Sequence, residues 1–393
     1  MKKVLIIAVI LTVAVIFIFD KEDRVPQNEK IEETRGVFIS YLEYNTYLKG
    51  KDEAEQKIKI IEMINNLKSK KFNLILLQVR PFSDAIYYSG IYPFSQTISG
   101  KEGKRVNYDV LEYFITIAHQ NNIKVHAWIN PYRIRSDKDL KSINDKNPAY
   151  KWIKEKSNNV QIDKGIYYNP ASSEVLNLII SGVIEIVTNY DVDGILYDDY
   201  FYPNKTIDKE NYQKYQETGG TLSLRNYRYQ NINNLIKGTY EAIKRTNKDV
   251  LFGISPAGNI ENNKNNQYLD VSYLLSSPYL DYVMPQIYFG FNNSNKPYVK
   301  TVNDWKDLIK NKNIKFYIAL APYKIGTTDK YAGKGKDEWI SSSDILKRQI
   351  EYARTLDDYS GFSLFRYEHL FNNSKYKSNS EIELNNMYSI FNY

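Results

Sequence analysis

The chain has no cysteine, only three histidines (His119, His126 and His369) and a single long apolar run in 393 residues. Without a thiol there is no disulfide, thiolate metal site, cysteine nucleophile or thioether-linked lipid, so the fold rests on its core alone. The histidines form no pair at metal-ligand spacing, and there is no Walker loop, G-x-S-x-G elbow or G-x-G-x-x-G loop. No metal, cofactor or nucleotide is therefore expected. Excess charge is also scarce: 53 Lys and Arg against 46 Asp and Glu leave +7, with no basic and aromatic platform of the nucleic-acid type. The 42% apolar content suffices for a full core and excludes a disordered or collagen-like chain.

The one long apolar run, Val4 to Phe19, contains only Thr12 as a polar side chain. Lys2 and Lys3 precede it, and Asp20, Lys21, Glu22, Asp23 and Arg24 follow. That charge order sends everything after the run out of the cytoplasm. Its 16 residues fall between a signal-peptide core of about 7–15 and a spanning helix of about 17–25. Bulky residues at Val15 to Phe19 stand where a signal peptidase needs small ones. Residues 1–19 are thus expected to be an uncleaved single-pass anchor at the extracytoplasmic face of the membrane; cleavage would make the protein secreted. Residues 20–33 read as a polar linker.

From Thr34 the pattern changes to short β-branched and aromatic runs: Gly36 to Tyr41, Leu74 to Val79, Val125 to Ile129, Gly194 to Tyr197, Val250 to Ile254, Tyr282 to Pro285, Phe316 to Leu320 and Gly361 to Phe365. Near-continuous apolar strands imply cover on both faces, hence a parallel sheet wrapped by helices. Helical spacing lies between them. Ala54, Ile58, Ile61, Ile64 and Leu67 recur at three and four, Asp109 and Glu112 form a capping box, and further helices are predicted over 174–190, 224–245, 302–310 and 344–356. The crossover at Asp270 to Ser276 is the shortest. Eight such units predict an α/β fold, a (β/α)8 TIM barrel over 34–370 with extended loops at its C-terminal rim. Residues 371–393 are expected to form a tail, with an Asn- and Ser-rich mobile stretch and a terminal helix from Leu384 to Phe391.

In such a barrel the chemistry lies in the loops after the strands. Asp198 and Asp199 end an apolar strand and are followed by Tyr200, Phe201 and Tyr202. Repulsion within a carboxylate pair favours a proton on one of them, the condition for a general acid. Adjacent strand residues point oppositely, so Asp198, on the side of Leu196, is taken as the catalytic residue and Asp199 as its orienting partner; a turn-capping Asp pair is the simpler reading. A glycosidase needs a second carboxylate, for which Glu43, Asp84, Glu261 and Glu368 are candidates. Asp84 also lies close to Arg80 in sequence, which allows an arginine-paired role. His126, Trp128 and Asn130 share one strand side and, with Arg80, Arg133, Tyr200, Tyr202, Gln286 and Tyr288, make a sugar-binding set of rings, amides and cations. A packed strand with one satisfied histidine would explain His126 equally.

The segments Thr34 to Tyr41, Gln78-Val79-Arg80-Pro81, His126 to Arg133, Tyr168-Asn169-Pro170, Asp193-Gly194 through Asp198 to Pro203, Gly253 to Pro256 and Pro285 to Tyr288 resemble the glycosyl hydrolase-like 10 family of bacterial envelope proteins. The resemblance runs in order from Thr34 to about Tyr323 and implies a (β/α)8 barrel acting on bacterial cell-wall glycan. A looser similarity to the chitinase strand-four pattern leaves Leu196 and Tyr200 where that family has acids, so its substrate-assisted mechanism is not carried over. The expected function is hydrolysis of O-glycosidic bonds in an extracytoplasmic polysaccharide or oligosaccharide. The alternatives are a barrel that binds glycan without cutting it and a membrane-bound assembly protein with no deep cleft at the rim.

Overall fold

The computed structural model describes residues 32–198, 200–372 and 377–392. The expected anchor and most of the linker lie outside the described residues, as does Asp199. Among the described residues no helix is long and apolar enough to cross a membrane.

One compact unit spans Thr34–Tyr393. Its eight parallel strands are β1 (Thr34–Ile39), β2 (Leu74–Arg80), β3 (Lys124–Ile129), β4 (Gly194–Tyr197), β5 (Leu251–Ile254), β6 (Tyr282–Val283), β7 (Lys315–Leu320) and β8 (Tyr359–Leu364). Each pairs with its neighbours in sequence, and β1 pairs with β8, so the sheet closes into a barrel. Helices α1 (Glu53–Ser69), α2 (Val110–Gln120), α3 (Ser173–Asn189), α4 (Leu224–Thr246), α5 (Val271–Ser276), α6 (Tyr298–Leu308) and α7 (Ile345–Ala353) form the crossovers. The short α5 suffices because Val271, Leu274 and Leu275 all bury against the barrel. In α1 the buried stripe is Gln56, Ile60, Met63, Ile64 and Leu67, while Ile58 and Ile61 face solvent; the predicted stripe was rotated because spaced isoleucines occur on both faces. The last helix, α8 (Lys377–Tyr388), starts earlier than its apolar residues suggest. Beyond its start, Leu384, Met387 and Phe391 join the main core.

The lumen is filled in layers, as a small closed barrel requires. Phe38, Leu76, Trp128, Leu196, Met284 and Ala319 belong to one inner cluster, with Leu74, Tyr282 and Tyr317 below them. Large rings fit the lower layer because two strands carry glycine there. A Cβ at Gly194 would stand 2.8 Å from the His126 ring, and one at Gly253 would stand 2.2 Å from the Tyr282 ring. Gly253→Ala must displace that ring from a closed core, and we expect it to cost about 1–3 kcal/mol, read as a lower urea midpoint at unchanged slope; an unchanged midpoint would show that the lumen has slack.

At the opposite end from the rim, acids tie strands together. Asp193 Oδ2 accepts from the Val125 amide at 2.8 Å and lies 2.9 Å from His119 Nε2, and Asp281 Oδ2 accepts from the Phe252 amide at 2.7 Å and pairs with Lys244 at 2.8 Å. The first aspartate of the strand-four motif is thus a fastener of the barrel base.

Candidate active site

Strand parity builds the site. Ser40, Gln78, Asn130, Asp198 and Gln286 each stand two residues beyond a lumen residue: Phe38, Leu76, Trp128, Leu196 and Met284. The period of two brings them to the same side one layer higher, so the apolar lumen ends in a polar ring at its mouth.

The ring is hydrogen-bonded. The Tyr41 amide donates to Gln78 Oε1 at 3.0 Å, and Gln78 Nε2 donates to Asn130 Oδ1 at 2.5 Å. Asn130 Nδ2 donates to the Asp198 carbonyl at 3.3 Å. Gln286 Nε2 donates to Asp198 Oδ1 at 3.1 Å and to the Ser255 carbonyl at 3.2 Å. Asp198 is therefore held from β3 through its backbone and from the loop after β6 through its carboxylate. Two phenols feel its charge. Burial chiefly, then Tyr323 and Asp198, raises Tyr288 well above the usual tyrosine range, and burial followed by Asp198 does the same for Tyr200. Both stay neutral donors, and the buried Tyr200 hydroxyl has no hydrogen-bond partner among the described residues. Replacing Gln286 by Leu removes the hydrogen bond that holds the Asp198 carboxyl, worth about 0.5–3 kcal/mol. On any substrate that the wild-type chain cleaves, it is expected to lower kcat about 10- to 100-fold with little change in KM; a loss confined to KM would make Gln286 a substrate contact instead.

Aromatic rings surround the mouth. Trp128 forms part of its floor, edge-on to Phe38 at 5.2 Å and to Phe365 at 6.3 Å. Tyr288 lies 6.1 Å from Phe365 and 5.8 Å from Tyr323, and Tyr323 lies 6.2 Å from Phe365. Arg133 stacks on Phe82 at 5.1 Å and donates from Nε to the Pro81 carbonyl at 3.0 Å; Phe82 meets Tyr41 at 5.2 Å.

Across the ring from β4, counting four strands in either direction, stands β8. Arg366 follows it, paired with Glu43 and, at 2.8 Å, with Glu368. Glu43 is fully buried and accepts from the Ser40 amide and hydroxyl at 2.9 and 2.6 Å, so it braces the turn after β1. Glu368 remains partly exposed.

Several expected contacts lie elsewhere. Arg80 points outward: its guanidinium stacks on Tyr92 at 4.2 Å, against the α3 surface at Gly182. A register shift between Gln78 and Arg80 separates their directions. His126 is in the lower lumen, 2.9 Å from the Tyr282 hydroxyl, and burial lowers it to about 4; it shares a side with Trp128 and Asn130 but sits beneath them. Glu261 is exposed on a short helix and accepts from Asn265 at 3.2 Å. Tyr202 is buried in the loop wall, where its hydroxyl accepts from Asn231 at 2.8 Å.

Asp84 is also away from the mouth, 3% exposed between the loops that follow β2 and β3. Burial pushes it up to about 6. The folded state therefore binds the extra proton between about pH 4 and 6, and stability falls as pH rises through that window. Asp84→Asn is expected to stabilise the fold at pH 8 by on the order of 2 kcal/mol and to leave it nearly unchanged near pH 4. Urea melts at both pH values test this; an equal effect at both would remove the ionisation from the explanation.

A closed barrel with a braced carboxylate and stacked rings at its mouth has the architecture of a glycosidase-type (β/α)8 protein. The chain belongs to the glycosyl hydrolase-like 10 family, whose sequence model matches residues 33–339. It is 30% identical over 330 residues to Glycosyl hydrolase YngK of Bacillus subtilis (strain 168), covering 78% of this chain and 63% of that protein. With Glycosyl hydrolase DigH of Escherichia coli (strain K12) it shares 31% identity over 347 residues, 80% of this chain and 76% of that one. The chain thus spans less than two thirds of the Bacillus relative's length. Among solved structures, it is similar to alpha-L-fucosidase isoenzyme 2 from Paenibacillus thiaminolyticus at TM-score 0.57 and 15% identity, covering 91% of this chain and 49% of that one. The beta-galactosidase from the psychrophilic Marinomonas ef1 matches at 0.53 and 11%, covering 85% and 54%. At these identities the likeness is one of fold.

Proposed function

We propose that this chain is a glycoside hydrolase that cleaves O-glycosidic bonds of an extracytoplasmic polysaccharide, cell-wall glycan, with Asp198 and Glu368 as its two working carboxyls. The observation that carries this reading is the position of Asp198, at the open end of the barrel, fixed by Gln286 and Asn130 among aromatic rings. Glu368 is chosen because it follows the strand opposite, beside Arg366, and is partly exposed. One carboxyl in its acid form protonates the departing oxygen, while the other, ionised, attacks the anomeric carbon or activates a water. Tyr288, Tyr323 and Phe365 offer faces to the sugar rings. The charge order of residues 2–24 supports a barrel tethered outside the cytoplasm.

The test is to incubate the full-length protein with purified wall glycan, with and without its stem peptides, and with chitin oligomers, and to identify new chain ends by mass. New reducing ends are expected. Retention of glycan without any new end would support the non-catalytic binding barrel instead.

A further inference from the structure

A recess lies between the loops that follow β2 and β3, lined by Phe82, Asp84, Glu102, Arg135, Asp137 and Asn147 among others, with a cavity of about 20 Å³. None of the mouth's polar ring lines it. A cavity of that size holds one water-sized polar group. Arg135 is its one guanidinium, and that group is already engaged: it donates to both Asp137 oxygens at 3.0 and 3.2 Å and stands 3.7 Å from Glu102. Glu102 accepts from Asn147 Nδ2 at 2.8 Å. Ser95 and the Gln96 backbone act on the Asp84 carboxyl, yet its buried Oδ1 has no hydrogen-bond partner among the described residues. Three carboxyls therefore face one guanidinium, and one carboxyl oxygen awaits a donor.

We propose that this recess binds the primary ammonium group of a ligand, with Asp84 Oδ1 and Glu102 as its acceptors. An ammonium matches the site in sign, in size and in bringing three donors and no acceptor. A metal ion matches less well, since among the described residues no group of three or more acids or histidines is arranged to hold one. Burial of Asp84 and Glu102, which raises them to about 6 and about 7, is the behaviour of acids that lack such a cation. Phe82 lines the recess and also carries Arg133 and Tyr41 at the mouth. The two places therefore share Phe82, and the amine is that of a de-N-acetylated amino sugar or of a lysine-type side chain. The proposal concerns binding alone and stands whether or not the barrel hydrolyses glycan.

The experiment is calorimetric titration of full-length Asp198→Asn protein, so that no turnover intervenes. The probes are a β-1,4-linked glucosamine tetramer, its fully N-acetylated counterpart, Nα-acetyl-lysine amide and calcium chloride. At least one free amine is expected to bind at least ten-fold more tightly than the acetylated tetramer, and which one identifies the source. Asp84→Asn and Glu102→Gln, added singly, are each expected to weaken it at least ten-fold. Binding of neither amine more tightly than the acetylated tetramer, unchanged affinity for the bound amine in both variants, or displacement of the amine by calcium would each overturn the proposal. Should a variant fail to fold by circular dichroism, the comparison of the two free amines with the acetylated tetramer decides.

Discussion

Asp198→Asn is expected to lower kcat by about 10²- to 10⁴-fold on any glycan that the wild-type chain cuts, with KM changed little. The substitution keeps the side-chain shape, and an Asn carbonyl oxygen can still accept from Gln286 Nε2, which now lies 3.1 Å from Asp198 Oδ1. The site should therefore stay assembled while losing only the group that carries a proton or a negative charge. Initial rates over a range of substrate concentrations separate this outcome from lost binding. Full turnover in the variant would remove Asp198 from the chemistry, and a rise in KM alone would make it a binding residue.

The second large effect concerns the loop wall beside the mouth. Arg228 of α4 donates to both oxygens of Asp208, at 2.8 and 2.7 Å, and to the Lys205 carbonyl at 2.7 Å. The Arg228 side chain is 2% exposed and that of Asp208 fully buried. Its guanidinium stacks on Tyr202 at 5.3 Å and Tyr268 at 4.4 Å, so a single cation organises the segment that runs on from Asp198. Removing one partner leaves a buried charge uncompensated, and Arg228→Met is expected to destabilise the fold by about 3–5 kcal/mol, measured by urea denaturation. Replacing both, Arg228→Met with Asp208→Leu, should recover much of that loss, because the isolated carboxylate disappears with the arginine. A single-variant cost below about 1 kcal/mol would mean that water reaches the pair.

The barrel was legible because its strands are apolar on both faces and its helices carry period-three and period-four stripes. The place of Asp198 at the mouth was legible for a related reason: alternation puts it on the side of Leu196, and Leu196 lies in the lumen. The same rule, carried along β2, singles out Gln78, two residues beyond Leu76. Height was what alternation could not supply. His126, Trp128 and Asn130 share a side, yet they occupy base, floor and rim, and only the barrel's shear assigns those levels. Arg80 was misjudged because a register shift next to it redirects the side chain. Arg366 had one available signal, an arginine directly after an apolar strand, but its pairing with Glu43 joins positions 323 residues apart and exists only once the barrel has closed.

Arg228 and Asp208 were invisible for the opposite reason. In sequence they are ordinary charges on a polar helix and a polar loop, and nothing local distinguishes a fully buried pair from a solvated one. The recess at Asp84 and Glu102 likewise needs two loops folded against each other before its carboxyls meet.

The most direct measurement is a crystal structure of Asp198→Asn soaked with a peptide-free wall-glycan oligomer. The expected result is a sugar chain lying across the barrel mouth against Tyr288 and Phe365, with one glycosidic oxygen or anomeric carbon about 3 Å from the residue-198 side chain and Glu368 on its far side. A glycan seated elsewhere on the surface, with position 198 touching only protein, would contradict the assignment of this mouth as the place where the glycan is cut.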